Sequence, residues 1–340
     1  MHHRSFRFLA AAAAVALATA ASLVPASAQV PEIRLARQFS MGYLQFNVME
    51  HDKLLEKHAA ALGLSDVKIS WSTFNGPDAM NNALISDSVD IVAGGVPGLL
   101  TLWNRTKGTQ NEVRGISALS SQPFLLNTRM ENIKSIADLK DTDRIALPAV
   151  KVSVQAVTLQ MAAAKAFGEK NFGKLDNLTV SMSPPDSTIA LLSGSSEITC
   201  VFGVPPFQQQ QLEKPGIHTI LNSFDVMDGP HTFTVAWTSA RFREKNPVLY
   251  KALFAALKEA TEIVDKDRQK AARYWIEDVK SKMPLEKVTA VISGPQVRWT
   301  MAPENAMKFA TFMHSVGSLK EAPKSWKDLF FPEIHDLPGS

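Results

Sequence analysis

From Glu32 onward, short apolar runs alternate with stretches whose apolar residues recur every three or four positions. Residues 33–39 read as a strand. Residues 47–62 read as one helix, with Val48, Leu55, Ala59 and Leu62 on one face and Gly63 as its stop. A strand at 67–71, a helix at 77–85, a strand at 90–93 and a helix at 97–105 follow. This βαβαβα order predicts a mostly parallel sheet. The same order then returns, with strands at 144–147, 178–182 and 198–202 and helices at 153–167, 187–193 and 206–212.

The recurrence extends to the letters. Pro77-Asp78 returns as Pro185-Asp186, Leu84 as Leu192, Ser88 as Ser196, and Gly95-Val96-Pro97 as Gly203-Val204-Pro205, each pair 108 residues apart. A single offset for the whole set points to a duplicated architecture rather than to shared Gly and Pro punctuation. The remaining chain reads as strands at 217–221 and 231–237, long helices within 247–282, and helical stretches at 285–292 and 303–316. The polar stretch 120–127 and the segment 225–231 are the expected crossings between lobes, a double crossover that makes a natural hinge. The expected fold class is therefore α/β, with lobe 1 at 29–123 plus 229–340 and lobe 2 at 124–228.

Residues 1–28 stand apart from this pattern. Arg4 and Arg7 precede a charge-free, alanine-rich stretch from 8 to 24, and Ala26-Ser27-Ala28 supplies a small-residue cleavage pattern. A stretch of that length falls short of the ~20 apolar residues that span a bilayer. The segment predicts a signal peptide cleaved near Ala28, and hence an exported protein without membrane insertion after cleavage. Losing Arg4 and Arg7 leaves 34 basic residues against 33 acidic, about +1. No basic run interleaves with aromatics, so nucleic acid is not an expected partner. The single cysteine, Cys200, excludes an intrachain disulfide and a cysteine-rich zinc cage, and is expected to be buried in a strand.

Ligands of open α/β sheets collect at the carboxyl ends of the strands, where the following helices begin. Those places are 38–45, 74–78 and 94–97 in the first copy and 148–155, 184–187 and 202–206 in the second. They are rich in Gly, Pro, Ser, Asn and Gln, and helix starts favour anions through free N–H donors and aligned dipoles. Arg37 and Lys151 are the nearest cations; Lys151 reads equally as a solvated surface charge, and Arg37 reads first as one. Ser153, Asp78 and Asp186 read as helix caps, Ser153 also as a ligand contact. Phe39, Tyr43, Phe74, Phe202 and Phe207 are candidate apolar walls, and His231 at the second crossing is a structural or a ligand-facing histidine. No G-x-S-x-G, P-loop, H-E-x-x-H, G-x-G-x-x-G or C-x-x-C motif occurs, so no catalytic constellation, metal or cofactor is expected.

The stretch Asn75-Gly76-Pro77-Asp78, the run from Asp90 to Pro97, and the phrase Ile133-Lys134-Ser135-Ile136-Ala137-Asp138-Leu139-Lys140 ahead of Arg144-Ile145-Ala146-Leu147 resemble the solute-binding components of bacterial ABC importers. More narrowly they resemble the nitrate/sulfonate/taurine branch, which is similar to the fungal thiamine-pyrimidine proteins. The resemblance implies a class II periplasmic binding protein fold, two lobes with a hinge and a cleft, that closes on a solute and docks on a membrane permease. Carried over by position, it implies a ligand site among Gln38, Phe39, Ser40, Tyr43, Asn75, Gly76, Gly94, Gly95, Val96, Lys151, Val152, Ser153, Asp186, Phe202, Gly203 and Val204, to which His231 is added from the crossing. Many branch members carry an aromatic, an acid and a proline where this chain has Phe202-Gly203-Val204. The missing acid lowers taurine and raises an amine-free sulfonate or carboxylate, aromatic ones included. The cysteine-rich motif of the related fungal enzymes is absent. Competing readings are an enzyme of the same fold acting on a small heteroaromatic substrate, and a binder that reports to a membrane sensor.

Overall fold

The computed structural model describes residues 31–340, so the leader expected at 1–28 lies outside the described residues. Strand β1 (Glu32–Gln38) leads through a 3-10 turn at Met41–Tyr43 into helices α1 (Leu44–His51) and α2 (Leu54–Ala61). The single helix expected at 47–62 is thus two. Lys53 holds φ 51° and ψ 43°, a left-handed conformation that an α-helix cannot run through. Strand β2 (Lys68–Phe74), α3 (Pro77–Ile85), β3 (Ile91–Gly95) and α4 (Val96–Thr106) complete the first unit.

Strands β4 (Val113–Ser121) and β5 (Leu125–Thr128) occupy most of the stretch read as a polar connector. The serines there are buried and bonded inside the sheet: Ser121 Oγ donates to the His231 carbonyl at 2.9 Å, and Ser120 Oγ lies 2.7 Å from Thr234 Oγ1. The second unit is β6 (Ile145–Leu147), α5 (Val154–Phe167), β7 (Thr179–Ser181), α6 (Pro184–Ser193), β8 (Cys200–Phe202) and α7 (Phe207–Leu212). Strand β9 (His218–Asn222) and α8 (Ser223–Val226) end it, and Cys200 is buried in β8. The chain closes with β10 (Thr232–Ser239), α9 (Ala240–Lys245), α10 (Pro247–Lys266), α11 (Arg268–Val279), α12 (Leu285–Ile292), β11 (Arg298–Trp299) and α13 (Ala306–Ser315).

The strands form two sheets, of six in the order β11-β4-β10-β3-β1-β2 and of five in the order β7-β6-β8-β5-β9. In the first, β1 pairs parallel with β2 and β3, and β10 runs antiparallel beside β3. In the second, β6 pairs parallel with β7 and β8, and β5 runs antiparallel beside β8. Apart from the edge strand β11, the two sheets therefore share one strand arrangement, and the 108-residue offset maps the end of β3 onto the end of β8. Both are mixed rather than mostly parallel, because the strands flanking the crossings return in the opposite sense.

Helices α1, α2, α10 and α11 cover one face of the first sheet, with Leu249, Leu253, Ala256 and Leu257 buried against Phe46 and Leu55. The other face buries Trp103 and Trp237 beneath α4. The two connections between the sheets are laced together. The Phe124 N–H donates to Ser223 Oγ at 3.0 Å and the Ser223 N–H to the Phe124 carbonyl at 3.0 Å. His231 Nδ1 lies 2.9 Å from the Thr232 carbonyl, which can only accept, so that nitrogen carries the proton and Nε2 accepts from the Ser223 hydroxyl at 2.9 Å.

Candidate functional site

The strand ends of both sheets face one another, and the loop after β1 is the point of closest attachment. Ser40 caps the 3-10 turn by accepting from the Gly42 N–H at 3.0 Å. Its hydroxyl donates across the gap to the Pro205 carbonyl at 2.9 Å, and the Met41 N–H donates to the same oxygen at 2.9 Å. The turn is held from below by Thr234 Oγ1, which donates to the Gly42 carbonyl at 2.7 Å, and by Gln45 Nε2, which donates to the Leu119 carbonyl at 2.5 Å.

Helices α4 and α5 point their starts at this place. Helix α4 has no side-chain cap: Gly95 stands at its N-cap and Pro97 in its first turn. Helix α5 is capped by Ser153, whose Oγ accepts from the Ala156 N–H at 3.2 Å and donates to the Ala149 carbonyl at 2.7 Å. The approach is close enough that a Cβ on Gly95 would sit 2.7 Å from Val154 Cβ, and one on Gly76 would sit 2.7 Å from the Pro148 carbonyl oxygen. Pro184, at the start of α6, completes the ring of helix starts.

Between them lies a cavity of about 20 Å³ lined by Gln38, Phe39, Ser40, Tyr43, Gly95, Val152, Ser153 and Val204 from the residues expected in the site. Pro77, Gly98, Pro148, Val154, Gln155, Pro184 and Phe233 also line it. Tyr43 is the sole ionisable residue in this lining, and burial pushes its phenol well above the ordinary tyrosine range, so it stays a neutral donor. Helix starts, side-chain amides and hydroxyls without a carboxylate make a lining suited to an anion. Gln38 and Gln155 face it from opposite lobes, and neither amide is hydrogen-bonded to another described residue.

Nine expected residues stand off this cavity. Asn75, Lys151 and Asp186 are exposed, Asp186 taking a 2.5 Å bond from Ser183 Oγ. Gly94 forms a layer behind the lining, where a Cβ would meet Gln38 Nε2 at 2.7 Å and Trp237 at 2.8 Å. Gly76 abuts Pro148, Val96 is in the core, and Gly203 faces Gln208 and Gln211 within its own lobe. Phe202 packs on Phe124 with ring centroids 5.3 Å apart. His231 is wholly buried at the crossings among Phe124, Phe224 and Phe309, and burial pushes its pKa down to about 4. Arg37 pairs with Glu50 at 2.8 Å.

Of the lining residues outside the expected set, Gly98 was within reach of sequence, one helical turn after Gly95 at a helix start. Phe233 was not, because its place depends on β10 pairing antiparallel with β3 across a sequence gap of over a hundred residues. Among the described residues, no group of three or more His, Cys, Asp or Glu is placed to hold a metal ion, and no helix is long and apolar enough to cross a membrane.

A sequence profile described as the NMT1-like family matches residues 26–277, most of the chain. The chain belongs to the NMT1-like family. No curated protein matches this family member by sequence. Solved structures do match it in fold. The alkanesulfonate-binding protein SsuA from Xanthomonas axonopodis pv. citri, bound to MOPS, superposes with a TM-score of 0.66 at 15% identity, covering 85% of this chain and 94% of that one. The periplasmic aliphatic sulphonate binding protein SsuA from Escherichia coli gives 0.63 at 18% identity, covering 88% and 98%. The periplasmic nitrate-binding protein NrtA from Synechocystis PCC 6803 gives 0.65 at 15% identity, covering 86% and 83%. The NMT1-like chain thus has the periplasmic binding protein fold, with the two matched sheets as its lobes.

Proposed function

We propose that the protein is the periplasmic solute-binding receptor of an ABC importer, capturing a small organic anion, a sulfonate or carboxylate, and presenting it to the membrane permease. The observation that carries this reading is the convergence of helix starts from both sheets on one cavity whose lining holds no ionised side chain. The sulfonate- and nitrate-binding names of proteins with the same fold support the ligand class. The moving bodies in this reading are 29–123 with 229–340, and 124–228, swinging about the crossings that Ser223 and His231 lace together. A space of about 20 Å³ holds about one water, so an organic anion enters with the lobes apart. Its contacts to both lobes then favour the closed form. Gln38 from one side and Gln155 with the start of α5 from the other would share its oxygens.

A thermal-shift screen of aliphatic sulfonates, aromatic carboxylates and inorganic anions tests the reading. At least one organic anion is expected to raise the midpoint in a concentration-dependent way. A flat response across all of them overturns it.

A further inference from the structure

Outside the small cavity lies a second space of about 440 Å³, and the two share Gln38, Phe39 and Ser40 as a common wall. This outer chamber is also an inter-lobe feature: Pro206, Phe207 and Gln210 line it from one lobe, and Trp275 and Asp278 of α11 from the other. Gln210 of its lining reaches across with Nε2 3.1 Å from Met283 Sδ. It has the size of an organic group, and the shared wall of Gln38, Phe39 and Ser40 sets it next to the inner cavity.

The chamber differs from the inner cavity in chemistry. Asp278 brings a half-buried carboxylate into the wall, with one oxygen accepting from Asn47 Nδ2 at 3.0 Å. No ion pair among the described residues involves it. Arg37, the cation on the same wall, pairs with Glu50 through Nη2 and keeps a buried, unpartnered Nη1, and its charge reaches Asp278 without an ion pair. Burial raises the Asp278 carboxyl above its ordinary range, offset in part by the Asn47 hydrogen bond. A buried carboxylate short of donors gains most from a cationic N–H donor, and the neighbouring rings of Phe39, Phe207 and Trp275 also accommodate a cation.

We propose that the outer chamber is a tail subsite in which Asp278 recognises an ammonium group, so that the preferred solute is an organic anion with an amine on its tail. This rests on the receptor reading above and replaces the amine-free solute expected from residues 202–204: the acid lacking in that loop is supplied from α11. Matched pairs test it by calorimetry on the purified protein, using 3-aminopropanesulfonate against propanesulfonate, and 4-(aminomethyl)benzoate against 4-methylbenzoate. In at least one pair the amine-bearing member is expected to bind about tenfold tighter. Asp278→Asn, which keeps the shape and an acceptor for Asn47, is expected to erase that preference, weakening the amine-bearing member while the amine-free one gains. Equal binding within both pairs, or a preference that survives Asp278→Asn, overturns the subsite and leaves the receptor reading standing. Binding of no member of either pair, together with a flat anion screen, overturns both.

Discussion

The Ser153 hydroxyl works in both directions, donating to the Ala149 carbonyl and accepting from the Ala156 N–H, so it ties the loop after β6 to the first turn of α5. Ser153→Ala is expected to cost about 1 kcal/mol of stability in urea unfolding, as for other lost caps. It should also weaken solute binding by loosening the start of α5, without unfolding the protein. Unchanged affinity would remove Ser153 from the site. His231 gives a second residue-scale expectation. An unfolded chain takes up a proton on this ring near pH 6.5, whereas the buried ring resists protonation down to about 4. Between those values acid favours the unfolded state, so stability is complete above the window and falls as pH drops through it, by roughly 3 kcal/mol in all. His231→Phe should flatten the decline of Tm between about pH 7 and 5, whatever its effect at neutral pH; an unaltered slope would assign the acid sensitivity to other groups.

At the scale of elements, the break between α1 and α2 rests on a lysine in a left-handed conformation. Lys53→Gly is expected to be neutral or to stabilise by up to about 1 kcal/mol, whereas Lys53→Val should cost about 1–2 kcal/mol in urea unfolding. The sequence pattern ran through this break because Val48, Leu55 and Ala59 stay in register with one apolar face on both sides of it. Helices α3 and α12 were legible to the residue, since Pro77 opens the one and Pro284 precedes the other. Strands β4 and β5 were not, because buried serines bonded to β10 and its approach look like loop polarity in one dimension. The site divides in the same way. Residues at the loops after β1, β3 and β6 were legible from strand-to-helix transitions, but which of them face the cavity and which back it depends on how the two sheets meet. Asp278 carried no signal at all, lying at the end of a helix beside a solvated acid, Glu277.

For the molecule as a whole, closure depends on the bare backbone of Gly95 meeting the Val154 side chain. Gly95 has φ −74°, which any residue can adopt, so a side chain there is excluded by the opposite lobe and not by its own conformation. Gly95→Ala should leave each lobe folded, hold the lobes apart as an increased radius of gyration in solution scattering, and lower solute affinity by about tenfold or more. Val154→Gly in the same chain should restore much of the loss; failure to do so would place the obstruction elsewhere. The neutral lining has a consequence of its own. With Tyr43 as its single titratable group and that phenol driven upward, the inner pocket holds a fixed charge across about pH 5 to 9. The grip on the head group would then vary with acidity only through the guest, level for a sulfonate and fading for a carboxylate only where it takes up its own proton. A further loss of uptake in acid would therefore trace to Asp278 in the outer chamber.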